Sequence, residues 1–252
     1  MKTVNVLVLR TAGTNCDYET DYAFQLAGAR TNLVHINELL TRKKTLMDYH
    51  ILAIPGGFSY GDDIAAGILL ANEIRYKLID SITEFVRNNG LIIGICNGFQ
   101  VLVRSGLLPQ IKSSKQEASL TSNSSAKFEC RWTKLKTDPS RCVFTPNLPE
   151  QIYLPVAHAE GRFIASNETL DQLEINGQVV FRYASSNYPE NPNGSERNIA
   201  GICDPTGRIM GLMPHPERYL SRYSHPRWTR ENLPEEGDGL SIFRNAVNYV
   251  SS

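Results

Sequence analysis

At 252 residues, with 41% hydrophobic and 21% charged positions, the chain has the make-up of a soluble globule able to bury a full core, not of a disordered one. Lys plus Arg and Asp plus Glu number 26 each, so no net field draws the protein to a nucleic acid or an anionic membrane. The cysteines (Cys16, Cys96, Cys130, Cys142 and Cys203) are odd in number, widely spaced and without a Cys-x-x-Cys pair, which argues against a disulfide framework or a zinc knuckle and for reduced thiols in a cytoplasm.

The first apolar run, "VNVLVLR", is broken by Asn5, ends at Arg10 and lacks a cleavage pattern, so it reads as a strand and not as a signal core. A helix follows through "YETDYAFQLAGA", then strands over "TNLVHI" and "HILAIPGG". Next come a helix over "NEIRYKLIDSITEFVRNN", a strand over "LIIGIC" and a helix from about Asn97. Alternating apolar runs and helical patterns indicate βαβ units and a parallel sheet buried on both faces, a doubly wound α/β fold. After "GLLPQ" the texture changes: "SLTSNSSAKFECRWTKLKT", "RCVFT", "QIYLPVAHAEGRF" and "QVVFRYAS" read as short strands, antiparallel additions to the sheet's edge. "NIAGICD" and "RIMGLMPH" flank "PTGR" as a hairpin. "NYPENPNGSERN" reads as a surface loop, "WTRENLPEEGDG" as a mobile segment, and "GLSIFRNAVNYV" as a closing helix. No stretch approaches the roughly 20 apolar residues that span a bilayer. One domain over 1–252 is the expectation, in the cytoplasm.

In "GICNG", Gly94 and Gly98 flank Cys96 where a strand would turn sharply into a helix, as in a Gly-x-Ser-x-Gly nucleophile elbow. The side chain would stand at the sheet's carboxyl edge, where open α/β sheets bind ligands, with a helix N-terminus to favour a thiolate. The other reading of Cys96 is a small buried hydrophobe, the fate of most free cysteines. A nucleophilic thiol needs a base, usually His held by a carboxylate. "MPHPER" offers His215 with Glu217 two residues on, where extended backbone points both the same way, and Pro216 stiffens the pair. "AHAEGR" offers a second pair, His158 and Glu160, which spacing alone does not exclude. It lacks the prolines and falls in the antiparallel additions, so His215 is preferred. His35 reads as a strand or core histidine, and His50 and His225 as solvated. Oxyanion donors could come from the Gly56–Gly57 turn and from the N–H of Asn97.

"GICNGFQ", "PGGFSYGD" and "MPHPER" together resemble the triad (class I) glutamine amidotransferases. "VLRTAGTNCDYET", "FECRW", "HAEGRF" and "NPNGS" are similar to segments of that family's glutaminase subunits of phosphoribosylformylglycinamidine synthesis, so the likeness runs from near residue 8 to near residue 250. The resemblance implies a flavodoxin-like sheet with Cys96 as nucleophile, His215 as general acid/base and Glu217 as its orienter. It further implies that Gly57 and Asn97 donate to the oxyanion, that Gln100 lines the L-glutamine site, and that no metal is used. Glutamine would be cleaved through a thioester to glutamate and ammonia. The sequence has no Gly-x-x-x-x-Gly-Lys-[Ser/Thr] loop. No cofactor is therefore expected in this chain; the resemblance implies that ATP, magnesium and formylglycinamide ribonucleotide bind a separate large synthetase subunit, with a small bridging subunit as a candidate further partner. "NYPENPNGSERN", "AHAEGRF" and the segment near Trp228 are candidate docking surfaces.

Two departures from the family pattern are Ala12, where Pro is usual, and a second acid at Asp63. Cys16, in the same loop as Ala12, lacks flanking glycines and is expected to be structural, with no base beside it. Rival readings are a cysteine hydrolase or stress protein of the related superfamily, whose members usually carry His where this chain has Asn97, and a catalytically inert binding subunit, which usually lacks Cys, His or Glu of the triad.

Overall fold

A computed structural model describes residues 3–111 and 116–252. The first half alternates as the sequence predicts. Strands β1 (Asn5–Arg10), β2 (Arg30–His35), β3 (Ile51–Ile54) and β4 (Leu91–Ile95) are separated by α1 (Asp17–Leu26), by the short α2 (Ile36–Leu40), and by α3 (Ile68–Glu73) and α4 (Ile79–Arg87). Strand β4 feeds α5 (Asn97–Arg104). Every residue of β3 and β4 is buried, which is why both read as unbroken apolar runs without alternation. The helix predicted over residues 72–89 begins earlier, at Ile68 after the left-handed Gly67, and a π-turn over Ile74–Leu78 joins α3 to α4. That inserted turn keeps Ile74, Leu78 and Ile82 all facing the core.

The second half contains β5 (Ala118–Ser122), β6 (Glu129–Thr137), β7 (Gln151–His158), β8 (Glu160–Ala165), α6 (Asn167–Ile175), β9 (Val179–Tyr183), β10 (Ile199–Cys203), β11 (Ile209–Leu212) and α7 (Leu240–Ser251). The sheet of nine strands runs β2-β1-β3-β4-β11-β10-β9-β6-β7. Pairings from β2 to β11 are parallel, and those from β11 to β7 antiparallel. The parallel half has flavodoxin-like order, and β10 and β11 form the expected hairpin. Strand β7 buries every second residue, so only one of its faces meets the core.

Several expectations need correction. "RCVFT" is a turn and not a strand: Cys142 and Phe144 plug the core from irregular backbone. "QIYLPVAHAEGRF" is two strands, and β8 leaves the main sheet to pair with β5. Helix α6 falls in a stretch with little amphipathic signal, which the sequence pattern does not reveal. The loop "NYPENPNGSERN" is no simple surface loop, because Asn191, Asn193 and Ser195 are buried. Most consequential, the antiparallel half curls back over the parallel one. Strand β7, last in the sheet order, delivers its Pro155 carbonyl to the N–H of His215 at 2.8 Å. Among the described residues no helix is long and apolar enough to cross a membrane.

Candidate active site

Cys96 stands between β4 and α5 with φ 52° and ψ −105°, a backbone conformation that no regular element uses and that costs a non-glycine residue of order 1–3 kcal/mol. Its N–H is tied to Leu212 O at the end of β11 (2.8 Å), so the elbow and the segment leading to His215 are anchored together. Gly98 permits the turn. A Cβ there would lie 1.9 Å from the Ile54 carbonyl oxygen at the end of β3. Cys96 is buried, 5% exposed as a residue, and its sulfur lies 3.7 Å from the Ala157 carbonyl.

His215 and Glu217 meet as the sequence suggested, but through a different backbone. Pro216–Arg218 is a 3-10 turn, not extended chain, and it folds the Glu217 carboxylate onto the ring. Nδ1 of His215 is 2.6 Å from Glu217 Oε1, with both side chains buried. Burial opposes a charged imidazole here, but the Glu217 carboxylate, then the sulfurs of Cys96 and Cys16, outweigh it and hold the His215 pKa well above its ordinary value. Among the described residues the other ring nitrogen, Nε2, has no hydrogen-bond partner.

Gly57 ends the β3 turn at φ 142°, bridged to Thr14. The bonds of that bridge run from Phe58 N–H to Gly13 O and from Cys16 N–H to Gly56 O, which leaves the Gly57 N–H outside the ladder. Asn97 opens α5, where helix geometry gives its N–H no intrahelical acceptor. The Asn97 side chain has work of its own: it accepts from Ser59 N–H (3.3 Å) and donates to Asp62 (3.2 Å) and to Gln100 (3.1 Å). Gln100 in turn donates to the Glu160 carbonyl, and Arg104 pairs with the Glu160 carboxylate at 3.3 Å. The acid tied into this rim is thus Asp62, whose burial raises its pKa; it also accepts from Gly67 N–H at 3.1 Å.

His158 lies nearer the site than its place in the antiparallel additions predicted. The curl of the sheet brings the β7–β8 turn over Cys96, and His158 is buried there. Its Nδ1 is 3.2 Å from Asn123 Oδ1, which already accepts from Gly161 N–H, so Nδ1 is the donor. Burial, reinforced by His215, lowers its pKa to about 3, and it stays neutral at physiological pH. A neutral histidine without a carboxylate partner differs in kind from His215.

Three residues outside the sequence-predicted set also stand here. Cys16, expected to lack a base, lies within 4.8 Å of His215 and Glu217, and Arg218 donates to its sulfur at 3.0 Å. By residue type Cys16, His215 and Glu217 could form a metal set. They fit one poorly: a guanidinium sits on the sulfur, and the short Nδ1–Oε1 contact already shares a proton. Asp62 and Arg218 flank motifs that the sequence does display, but nothing in their spacing signals these contacts. His225, expected to be solvated, is instead buried against Trp132, Tyr153 and Tyr219.

A thiol held at an elbow at the carboxyl end of a doubly wound sheet, beside a buried His–Glu pair, is an arrangement suited to acyl transfer. The chain belongs to the CobB/CobQ-like glutamine amidotransferase domain family, whose model matches residues 3–250. It is 53% identical over 255 residues to the phosphoribosylformylglycinamidine synthase subunit PurQ of Dehalococcoides mccartyi, covering 99% of both chains. With the subunit of the same name from Methanococcus maripaludis it shares 46% over 265 residues, covering 98% of this chain and 97% of that one. Among solved structures, PurLQS from Thermotoga maritima superposes with a TM-score of 0.78 at 31% identity, covering 99% of this chain and 100% of that chain. A second glutamine amidotransferase from Thermotoga maritima matches at TM-score 0.59 and 16% identity over 99% of this chain and 98% of that one, a likeness of fold alone.

Proposed function

We propose that the chain, as one amidotransferase domain over 1–252, is the glutaminase subunit of a phosphoribosylformylglycinamidine synthase acting in the cytoplasm. The observation that carries the reading is the buried His215–Glu217 pair facing a thiol held at an elbow. The Cys96 thiolate attacks the side-chain amide carbon of L-glutamine. The oxyanion that forms accepts hydrogen bonds from Gly57 N–H and Asn97 N–H, donors of a kind worth roughly 3 kcal/mol each. Imidazolium His215 gives its Nε2 proton to the leaving nitrogen, and ammonia departs as the γ-glutamyl thioester forms. His215 then takes a proton from water, which cleaves the thioester to glutamate and restores the thiol. Glu217 holds the ring and balances its charge, and Gln100 lines the glutamine site.

The ammonia goes to a separate synthetase subunit that binds ATP, magnesium and formylglycinamide ribonucleotide, with a small bridging subunit in the assembly. The PurLQS assembly of Thermotoga maritima and the subunit names of the PurQ relatives support this division of labour. Glutamate release from glutamine tests the reading. Cys96→Ser and His215→Ala should each lower it by about 1000-fold or more, with and without the synthetase. An active Cys96→Ser protein would overturn the assignment.

A further inference from the structure

Cys16 immediately precedes α1 and is fully buried. Its sulfur accepts from Arg218 Nη2 at 3.0 Å and donates to Asn15 Oδ1 at 3.2 Å. It also shares one small space with the triad histidine: a Cβ built on Gly56 would lie 2.9 Å from His215 Cε1 and 3.2 Å from Cys16 Sγ. Arg218 Nε is 3.9 Å from Glu217 Oε1, and among the described residues no other Lys or Arg lies within ion-pair distance of that carboxylate. The Arg218 side chain is 34% exposed, so burial alone does not hold its head in place. Among the described residues Glu217 Oε2 has no hydrogen-bond partner.

We propose that Cys16 is a positioning residue of the triad: its sulfur pegs the Arg218 guanidinium, and the pegged guanidinium keeps its charge against the Glu217 carboxylate that orients His215. The inference rests on the triad reading above. Its sign follows from the groups that face the pair: the sulfurs of Cys16 at the start of α1 and of Cys96 at the elbow, the neutral imidazole of His158 on β7, and the Arg218 guanidinium of the 3-10 turn itself. The neighbouring Asp17 of α1 is paired with Arg10, and Arg244 of α7, which packs on the same turn, is paired with Glu236. Arg218 therefore competes with imidazolium His215 for the charge of Glu217. Released to solvent, it would leave Glu217 unopposed, and His215 would hold its proton more tightly and in a looser orientation.

The test is glutamate release by the chain assembled with its synthetase, followed from neutral to alkaline pH. The variants are Cys16→Ala, Cys16→Ser, Arg218→Met, Arg218→Lys and the Cys16→Ala/Arg218→Met pair. Cys16→Ala should lower kcat on the order of tenfold with KM little changed, and Arg218→Met, which removes the opposing cation and keeps the sulfur, should move the alkaline limb of kcat/KM upward. Cys16→Ser keeps an acceptor and should recover most of the loss, as Arg218→Lys should relative to Arg218→Met. The double variant should be no worse than either single one, because both break the same link. Ala and Ser variants that behave alike, an unmoved limb, or losses that multiply would each overturn the proposal. Should Cys16→Ala fail to fold, Arg218→Met still reads the limb, and a wild-type profile there overturns it. A wild-type assembly without glutaminase activity, or an active Cys96→Ser protein, would instead bring down the triad reading, and this inference with it.

Discussion

His158 and His215 are two buried imidazoles over one thiol, and their environments push them in opposite directions. For His215 the folded pKa is raised, so its contribution to stability is complete below the unfolded value near 6.5 and fades as pH rises through the folded one. For His158 the folded pKa falls to about 3, so the unfolded chain binds the extra proton and stability drops as pH falls from about 6.5 toward 3. Between pH 7 and 5 this amounts to about 2 kcal/mol. Urea midpoints of wild type and His158→Gln across that range check the sign: the variant should lose less stability on acidification, and parallel curves would refute it. The contrast also marks the limit of reading single residues. Pro216 and Glu217 announced a histidine with an orienter, and the elbow glycines announced the thiol. The place of His158 beside them depends on a curl of the sheet between residues far apart in sequence, and the burial of His225 on three aromatic rings from separate segments. Local pattern carries neither.

Between elements, contacts that cost little in sequence hold the site in register. Gly98 lets the first turn of α5 lie against the end of β3, so Gly98→Ala would drive a methyl group into the Ile54 carbonyl 1.9 Å away. That clash must displace either the elbow or the turn carrying Gly57. A loss of about 3 kcal/mol or more in urea unfolding is expected, with a fall in glutamate release beyond what the unfolded fraction explains. The loop before β10 works similarly on the opposite wall. Asn193 is fully buried and donates to Gly161 O at 2.8 Å and to Tyr183 Oη at 2.9 Å, and its Oδ1 accepts from Ser195 Oγ at 2.7 Å. Ser195 Oγ in turn accepts from Phe163 N–H at 2.9 Å. The loop is a latch on β8. Asn193→Ala would strand several buried polar groups and should cost about 2–4 kcal/mol, and Asn193→Asp, whose carboxylate cannot donate to the Gly161 carbonyl, should recover none of it. Polar composition made this segment look like a solvated loop, because buried amides that satisfy one another have the same residue types as exposed ones. The parallel half was legible for the opposite reason: β1 between its end residues, and β3 and β4 along their length, are buried and read as apolar runs alternating with helical patterns.

At the scale of the molecule, the nine-stranded sheet is parallel where it presents the chemistry and antiparallel where it closes over it. The sequence shows no Gly-Lys phosphate loop, and the proposed division of labour puts the acceptor chemistry on a separate subunit. The two half-reactions can be separated experimentally. In an assembly with the synthetase, ATP, magnesium and formylglycinamide ribonucleotide, each glutamate formed should be matched by one amidated product, with little free ammonium in the medium. Cys96→Ser should abolish the glutamine-dependent reaction and leave the ammonium-dependent one intact, because the lesion lies upstream of the acceptor chemistry. The isolated wild-type chain should release glutamate slowly and accelerate at least about tenfold on docking, equivalent to roughly 1.4 kcal/mol of barrier. Full glutaminase activity without the partner would show that the elbow, the Gly57 turn and the β7–β8 cover are already in their working arrangement, and that coupling to the synthetase acts only on the fate of the ammonia.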